Sequence, residues 1–467
     1  MFVQQTLCYL NMKKVLLITD HKWRDLAGYV YLKSLLEKNR DIKVRLCRLG
    51  EDRFWVLHDR PDVVIYNHLY EDRKVRFAKW LKKQNVGIII LPTENMPLRD
   101  GVEDLFAGKF TDLSPVDVYL SWNEQVANRI IELGKLPAGK VKVIGVPRFD
   151  FYCPPLTQLL IDKEEIQKKY ELTINKNAPV VLYATNFTIA SFSDNKSFLY
   201  KDWNALKLNR IDGYKPEQIE NRIQSDIISR DRTINTVKQL LNEFPDLQVI
   251  YKPHPSENHA FYADVIKELK KQFPKRFAFV IQEYIWDILN MSDVILQRTC
   301  TTAIEAWMLG KPTVELHLHP NELYFSEEHA SGSNIAYSYD DIKKYVDYYC
   351  TGGKIPDSMQ KHRESLFKKW CYKVDGMRTI EAANIIIRFL ESRGKARYSI
   401  SARDFISLYP KEYSKQIYRY IRNFIREKFI GVDKLGRIDK QFMEKDVKFW
   451  EERIASIPAD DFIRSNL

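Results

Sequence analysis

The sequence predicts an α/β protein: two facing, doubly wound Rossmann-type domains with a cleft between them, followed by a helical tail. Three observations predict it. Short apolar runs recur through both halves and have the length and composition of strands buried on two faces. A polar or helical stretch follows each run, which is the alternation of a parallel sheet with crossover helices. Chemistry-bearing residues gather just after the runs, where open α/β sheets hold their ligands.

In the first half the runs 13–20 (KKVLLITD), 42–47, 62–67 (DVVIYN), 86–91 (VGIIIL), 116–122 and 141–146 (VKVIGV) read as strands. Apolar spacing through Leu26, Val30, Leu32 and Leu36 predicts a helix over 21–38. Gly145 and Pro147 punctuate the end, so residues 1–150 form one domain. Residues 151–177 read as a connection carrying the charged helix KEEIQKKYEL. The second domain, 178–375, opens on a strand over 179–184. Residues 185–212 read as an ordered loop with little regular structure, and 221–244 as a helix. The stretch 248–316 then reads strand, loop, helix, helix, strand, loop, helix, strand, with apolar runs at 249–251 and 294–296 and a helix over 303–309. A helix over 378–393, within the crossover segment 376–395, returns to the first domain, and 396–467 form a basic helical tail.

A chain of 467 residues has room for this arrangement. No apolar stretch is long enough to span a bilayer, and the opening residues lack a basic region and a small-residue cleavage site, so no signal peptide is expected. The cysteines (Cys8, Cys47, Cys153, Cys300, Cys350, Cys371) are scattered without CxxC spacing. That spacing indicates neither a disulfide framework nor a zinc site, and a cytoplasmic protein is the simple reading. The net charge of +11 is unevenly placed: residues 393–440 hold 13 Lys/Arg against 5 Asp/Glu. A nucleic-acid grip across the whole protein is therefore not expected; a local anionic partner near the tail is.

Two loops of the second half converge on phosphate chemistry. His254 sits between two prolines after the run ending at Tyr251, in Lys252-Pro253-His254-Pro255-Ser256. An imidazole there can donate to a phosphate oxygen; a structural histidine is the bland alternative. Arg298, Cys300, Thr301 and Thr302 precede a helix whose free N–H groups and dipole suit an anion. Thr302-x-x-Glu305 also matches a capping box, which would occupy both side chains at the helix start; Glu305 on ribose hydroxyls is the minority alternative. Thr185 and Asn186 end the 179–184 strand and line the cleft. In the first half, Glu94 lies just past the VGIIIL strand and can take a proton from an acceptor hydroxyl. Asp20 competes for that role, and a turn-capping carboxylate is the alternative. Lys22 and Arg24 put two cations near the same rim, suited to a sugar carboxylate or phosphate, or else to a solvated helical turn. His317 and His319 alternate on a strand-like run with no third ligand in view, so no metal is expected.

In the tail, Lys415, Arg419, Arg422 and Arg426 recur on one helical face, and Tyr413, Ile417, Ile421, Phe424 and Ile425 mark the other. Such a helix can lie on an anionic membrane, or pack its apolar face on the body with its charges in water.

Taken in order, several segments resemble the bacterial surface carbohydrate biosynthesis family, which is similar to sialyltransferase- and Kdo-transferase-type GT-B enzymes. They are Lys22-x-Arg24-Asp25, Val146-Pro147-Arg148-Phe149-Asp150, Thr185-Asn186-Phe187, Lys252 to Asn258, Cys300-Thr301-Thr302-x-x-Glu305, Gly310-Lys311-Pro312 and Asp375-Gly376. The resemblance covers residues 13 to about 390 and leaves the tail out.

It implies a GT-B fold and an inverting, metal-independent transfer from a nucleotide sugar to a glycan or lipid-linked acceptor in surface polysaccharide synthesis, with CMP-linked acidic sugars the leading donors. It further implies that His254 and Pro255 hold the donor phosphate together with Thr301 and Thr302. Glu94 in Thr93-Glu94-Asn95 stands where the family has its general base, and Asn95 where the family has Gly. A CDP-glycerol-type polyol-phosphate transferase, a GT-B-like sugar-nucleotide epimerase and a non-catalytic scaffold are the rival expectations.

Overall fold

The structure, a computed structural model, describes residues 12–96, 112–194, 196–205, 215–319, 325–400, 402–425 and 441–458. Its twelve strands form two six-stranded sheets, parallel throughout. The first holds β1 (Lys13–Thr19), β2 (Ile42–Arg48), β3 (Val63–Tyr66), β4 (Gly87–Ile90), β5 (Val118–Ser121) and β6 (Val141–Val143), in the order β2-β1-β3-β4-β5-β6. The second holds β7 (Val180–Ala184), β8 (Gln248–Lys252), β9 (Phe277–Phe279), β10 (Val294–Gln297), β11 (Thr313–Leu316) and β12 (Asn334–Ala336), in the order β12-β11-β10-β7-β8-β9. These are the two common doubly wound orders, and each reverses direction beside its first strand. The expected fold class is the observed one.

Helices cover both faces. The first sheet carries α1 (Lys22–Glu37), α2 (Asp52–Asp59), α3 (Asp72–Lys83) and α4 (Glu124–Glu132). Between and around the strands of the second run α5 (Lys163–Lys169), α6 (Lys196–Ala205), α7 (Ile219–Glu243), α8 (Ala263–Gln272), α9 (Ile285–Met291), α10 (Thr301–Met308), α11 (Glu327–Ala330), α12 (Tyr339–Cys350) and α13 (Asp357–Leu366). The chain then continues through α14 (Arg378–Glu391), α15 (Ala402–Ile425) and α16 (Glu444–Ala455). α1 buries every position from Asp25 to Leu32, because the sheet lies on one side of it and α14 and α16 lie on others.

Three local expectations differ from the structure. The stretch after β7 is not a plain loop: it holds a turn at Ala190–Phe192 and α6, and its residues 206–212 lie outside the described ones. β9 and β12 went unpredicted, since three residues show no period. α10 begins at Thr301, two residues before the expected start.

The expected return of the chain to the first sheet is present. Ala382, Ala383, Ile386 and Leu390 of α14 share one buried cluster with Val15, Leu17, Val63 and Ile65 of β1 and β3. What fixes α14 is a carboxylate. Asp150, 1% exposed, accepts the backbone N–H of Arg378 at 3.1 Å and of Thr379 at 2.7 Å, so it caps this helix from 228 residues away in sequence. Two glycines let the backbones meet there. Gly145, at φ +84°, lies where a Cβ would come 2.6 Å from Arg378, and Gly376, at φ +75°, where one would come 3.1 Å from Cys153. The segments Val146–Asp150 and Asp375-Gly376, far apart in sequence, thus form one crossing point between the sheets.

The tail divides. α16 packs on the body: Trp450 and Ile454 are buried in the cluster that also holds Leu26, Phe151 and Trp286. α15 lies along α2 with Glu412 buried and Gln416 donating to Glu51 at 3.3 Å. The side chains of Phe424 and Arg426, residues 1–11 with Cys8, and the tail segments 426–440 and 459–467 lie outside the described residues.

Asp150→Ala leaves two buried N–H groups without an acceptor and is expected to cost about 2 kcal/mol in urea unfolding. Burial pushes the Asp150 carboxyl up to about 6 from the usual 3.8, against the pull of the Thr379 and Arg378 bonds. Between those values the folded chain keeps a proton that the unfolded chain has lost, so this group's contribution to stability falls as pH rises from about 4 to about 6. The difference between wild-type and Asp150→Ala stability is expected to shrink across that window.

Candidate active site at the carboxyl ends of the two sheets

In the second sheet β7 lies between β8 and β10, and the register pairs Ala184 with both Lys252 and Gln297. The loops that follow therefore start side by side, about 5 Å per strand, at the switch point of the sheet. His254 stands in the loop after β8. Its backbone N–H donates to Glu257 at 2.8 Å, and its Nδ1 accepts the N–H of Ser256 at 3.1 Å. An Nδ1 that accepts puts the proton of a neutral ring on Nε2. Glu257 is the loop's internal anchor: 2% exposed, it also accepts the hydroxyls of Thr185 at 2.9 Å and Tyr262 at 2.5 Å. Burial raises its pKa, opposed by these hydrogen bonds.

The loop after β10 is held under strain. Thr299 adopts φ +32°, costly for a β-branched residue, and both its N–H (2.7 Å) and its hydroxyl (2.9 Å) are tied to buried Glu315. Thr301 and Thr302 follow at the start of α10, both partly exposed. The anticipated capping box does not form: the N-cap is Cys300 and makes no side-chain cap bond. Glu305 turns instead to the first half of the chain, where the Tyr152 hydroxyl donates to it and Arg148 lies 3.6 Å away.

Other cations chosen from the sequence are held inside the structure. Arg298 is buried and donates to Asp226 at 2.6 Å and to the Asn186 carbonyl at 3.0 Å, over the Phe187 ring. Lys252 donates to the carbonyls of Ile281 and Glu283 at 3.5 and 3.1 Å, and burial lowers it to about 8. Lys22 is paired with Asp446 of α16 at 2.8 Å. All three are struts of the fold, in place of the phosphate or carboxylate contacts expected of them.

In the first sheet Arg24 stands in the first turn of α1, just after β1, and its guanidinium meets three carboxylates: Asp25 at 2.8 Å, Asp20 at 3.0 Å, and Glu94. Glu94 is the most exposed of them, at 68% of its side chain, and Asp20 follows at 31%. Both candidate bases thus share one cation. Asn95 is buried, and its carbonyl accepts from Asn123 at 3.2 Å.

The two rows of loops are joined. Trp23, at the start of α1, meets Tyr284, at the start of α9, with ring centroids 5.3 Å apart. Arg148 reaches from the crossing point to Glu305. Sequence reasoning placed Arg148 and Glu257 in motifs without giving either a role, and it missed Asp226 and Asn67. Asn67, just past β3, is 2% exposed, and neither atom of its amide has a hydrogen-bond partner among the described residues. Its position at the switch point of the first sheet, directly after an apolar run, is the signal that was there to be used. Among the described residues no group of three or more His, Cys, Asp or Glu is placed to hold a metal, and no helix is long and apolar enough to cross a membrane.

This pairing of two doubly wound sheets through their carboxyl ends is found in solved structures. The fold is GT-B-like. A variant of the wall teichoic acid polymerase TagF superposes with a TM-score of 0.51 at 12% identity, covering 83% of this chain and 93% of that one. The UDP-GlcNAc 2-epimerase from Neisseria meningitidis, bound to UDP-GlcNAc, superposes with a TM-score of 0.50 at 14% identity, covering 81% and 100%. No protein-family model and no curated protein matches the chain.

Glu257→Ala removes one acceptor from three donors and is expected to cost about 2–3 kcal/mol. Glu257→Gln, which keeps one oxygen, is expected to cost less; chemical denaturation of both variants checks the order.

Proposed function

We propose that the protein is a glycosyltransferase that uses a nucleotide sugar and builds a surface glycan by inverting, metal-independent transfer to a glycan or lipid-linked acceptor. The observation that supports this reading is that the loop bearing His254 and the loop opening α10 leave β8 and β10, the two strands that flank β7 at the switch point of the second sheet, while the Arg24 carboxylate cluster lies at the same ends of the first. The donor phosphates take the Nε2–H of His254, the hydroxyls of Thr301 and Thr302, and the N–H groups opening α10. Glu94 takes the proton of an acceptor hydroxyl, or Asp20 does so in its place. The acceptor oxygen bonds to the anomeric carbon as the bond from that carbon to the phosphate oxygen breaks. The negative charge left on the nucleotide falls where these donors point. Pro255 and Ser256 shape the donor loop, and Glu305, already at the sheet junction, lies within the same helix start. An acidic sugar carried on CMP is the donor suggested by the family resemblance.

A second reading has an observation of its own. The structural neighbours include an epimerase bound to UDP-GlcNAc and a teichoic acid polymerase. A sugar-nucleotide epimerase or a CDP-glycerol-type polyol-phosphate transferase would use the same donor loops.

Thermal unfolding with CMP, CDP, UDP, GDP and ADP separates the readings. A nucleotide at 100 times its Kd adds about 2.7 kcal/mol. Stabilisation by CMP, lost in His254→Ala, supports the acidic-sugar transferase. A CDP or UDP preference favours the second reading, and no response to any nucleotide leaves a non-catalytic scaffold. With the donor known, Glu94→Gln is expected to lower kcat by about 10²–10⁴-fold without weakening nucleotide binding. An unchanged kcat would pass the role to Asp20.

A further inference from the structure

α15 is amphipathic, and its orientation is the reverse of that of a helix packed on a core. Its polar side meets the body. Glu412 is 5% exposed and accepts Lys415 at 2.7 Å; Arg73 lies 4.0 Å from it, and the Arg419 guanidinium reaches over Gly50. Lys415, Arg419 and Arg422 are half-buried along this side. The other side carries Tyr413, Ile417, Ile421 and Ile425 at i, i+4 spacing, a stripe about three turns long. Ile417 and Ile421 are 48% and 50% exposed, and Ile406, further up the helix, is 71% exposed. Single exposed apolar residues are ordinary; a continuous stripe of them marks a surface that is covered in use.

The charge around the stripe identifies what covers it. Lys411 stands beside it, and Lys415 and Arg422 border it from the body side. Tyr418 and Tyr420, 65% and 68% exposed, flank the isoleucines with rings that suit the level of lipid headgroups. Aliphatic centre, tyrosine margin and basic border together match the boundary layer of an anionic bilayer. Tyr413 also touches Phe54 of α2 at 6.0 Å between ring centroids, which fixes the helix to the edge of the first sheet.

We propose that α15 is a membrane anchor whose Tyr413–Ile417–Ile421–Ile425 stripe lies in the headgroup boundary of an anionic membrane. The attachment is independent of the donor chemistry. If the acceptor is lipid-linked, as the function proposed above has it, the anchor brings the protein to the membrane that carries the acceptor.

Flotation of the full chain with vesicles tests it. Binding to phosphatidylglycerol-containing vesicles is expected, with weak binding to pure phosphatidylcholine and release by salt. Ile417→Glu together with Ile421→Glu is expected to lower the bound fraction roughly tenfold or more, with the melting temperature and any nucleotide-induced shift unchanged. The emission that Tyr420→Trp adds to the wild-type spectrum is expected to shift to the blue on anionic vesicles. No binding to anionic vesicles, binding unaltered by the double substitution, or no such shift in the Tyr420→Trp variant overturns the proposal. A self-associated wild type that the double variant disperses also overturns it and makes the stripe a contact between copies. Because the vesicle readout involves no nucleotide, its failure and a failure of the donor site are distinguishable.

Discussion

The capping of α14 by Asp150 is the constraint on which the two-sheet arrangement rests. The chain passes from the first sheet to the second just after Asp150 and returns just before Arg378, so one carboxylate closes a loop that contains an entire sheet. Burial without hydrogen bonds would be costly for it; two backbone donors that no residue of α14 itself can satisfy offset that cost. Gly145 and Gly376 are needed for the same reason, since a side chain at either would hold the two strands of the crossing apart. The isoleucine and alanine face of α14 can then settle under β1 and β3.

Charge is distributed differently at the carboxyl ends of the two sheets. On the first sheet a single guanidinium lies among buried Asp25 and the more exposed Asp20 and Glu94, and offsets part of their mutual repulsion. On the second sheet the carboxylates Glu257, Asp226 and Glu315 face inward and hold loops in place. The same loops carry the partly exposed side chains of His254, Thr301 and Thr302 and the start of α10.

The strands buried on both faces were legible because an uninterrupted apolar run has few other places to go; KKVLLITD and VGIIIL became β1 and β4. Loops at strand ends were legible as well, which located His254, Thr301 and Glu94. The partners of charged residues were not. Lys22, Lys252 and Arg298 had the chemistry of phosphate ligands, but a distant carboxylate or carbonyl claimed each, and those pairings depend on tertiary contacts of up to 424 residues in separation. Glu305 shows the same effect: the spacing of a capping box was present, and the hydroxyl of Tyr152 drew its carboxylate away. In α15 the periodicity separated Tyr413, Ile417, Ile421 and Ile425 from Lys415, Arg419 and Arg422, as the described side chains are, yet period alone does not say which face is turned inward.

α16 ties both halves together. Lys22 and Lys33 of α1 reach Asp446 and Glu451, the Trp450 indole donates to the Tyr284 hydroxyl at 2.7 Å, and Arg453 donates to the Leu159 carbonyl. Trp450 lies 166 residues beyond Tyr284 in the chain. During synthesis on a ribosome both sheets therefore emerge before the piece that fastens them. Until α16 has been made, the rings of Phe151, Tyr284 and Trp286 lack the indole that packs against them, although α14 already joins the sheets.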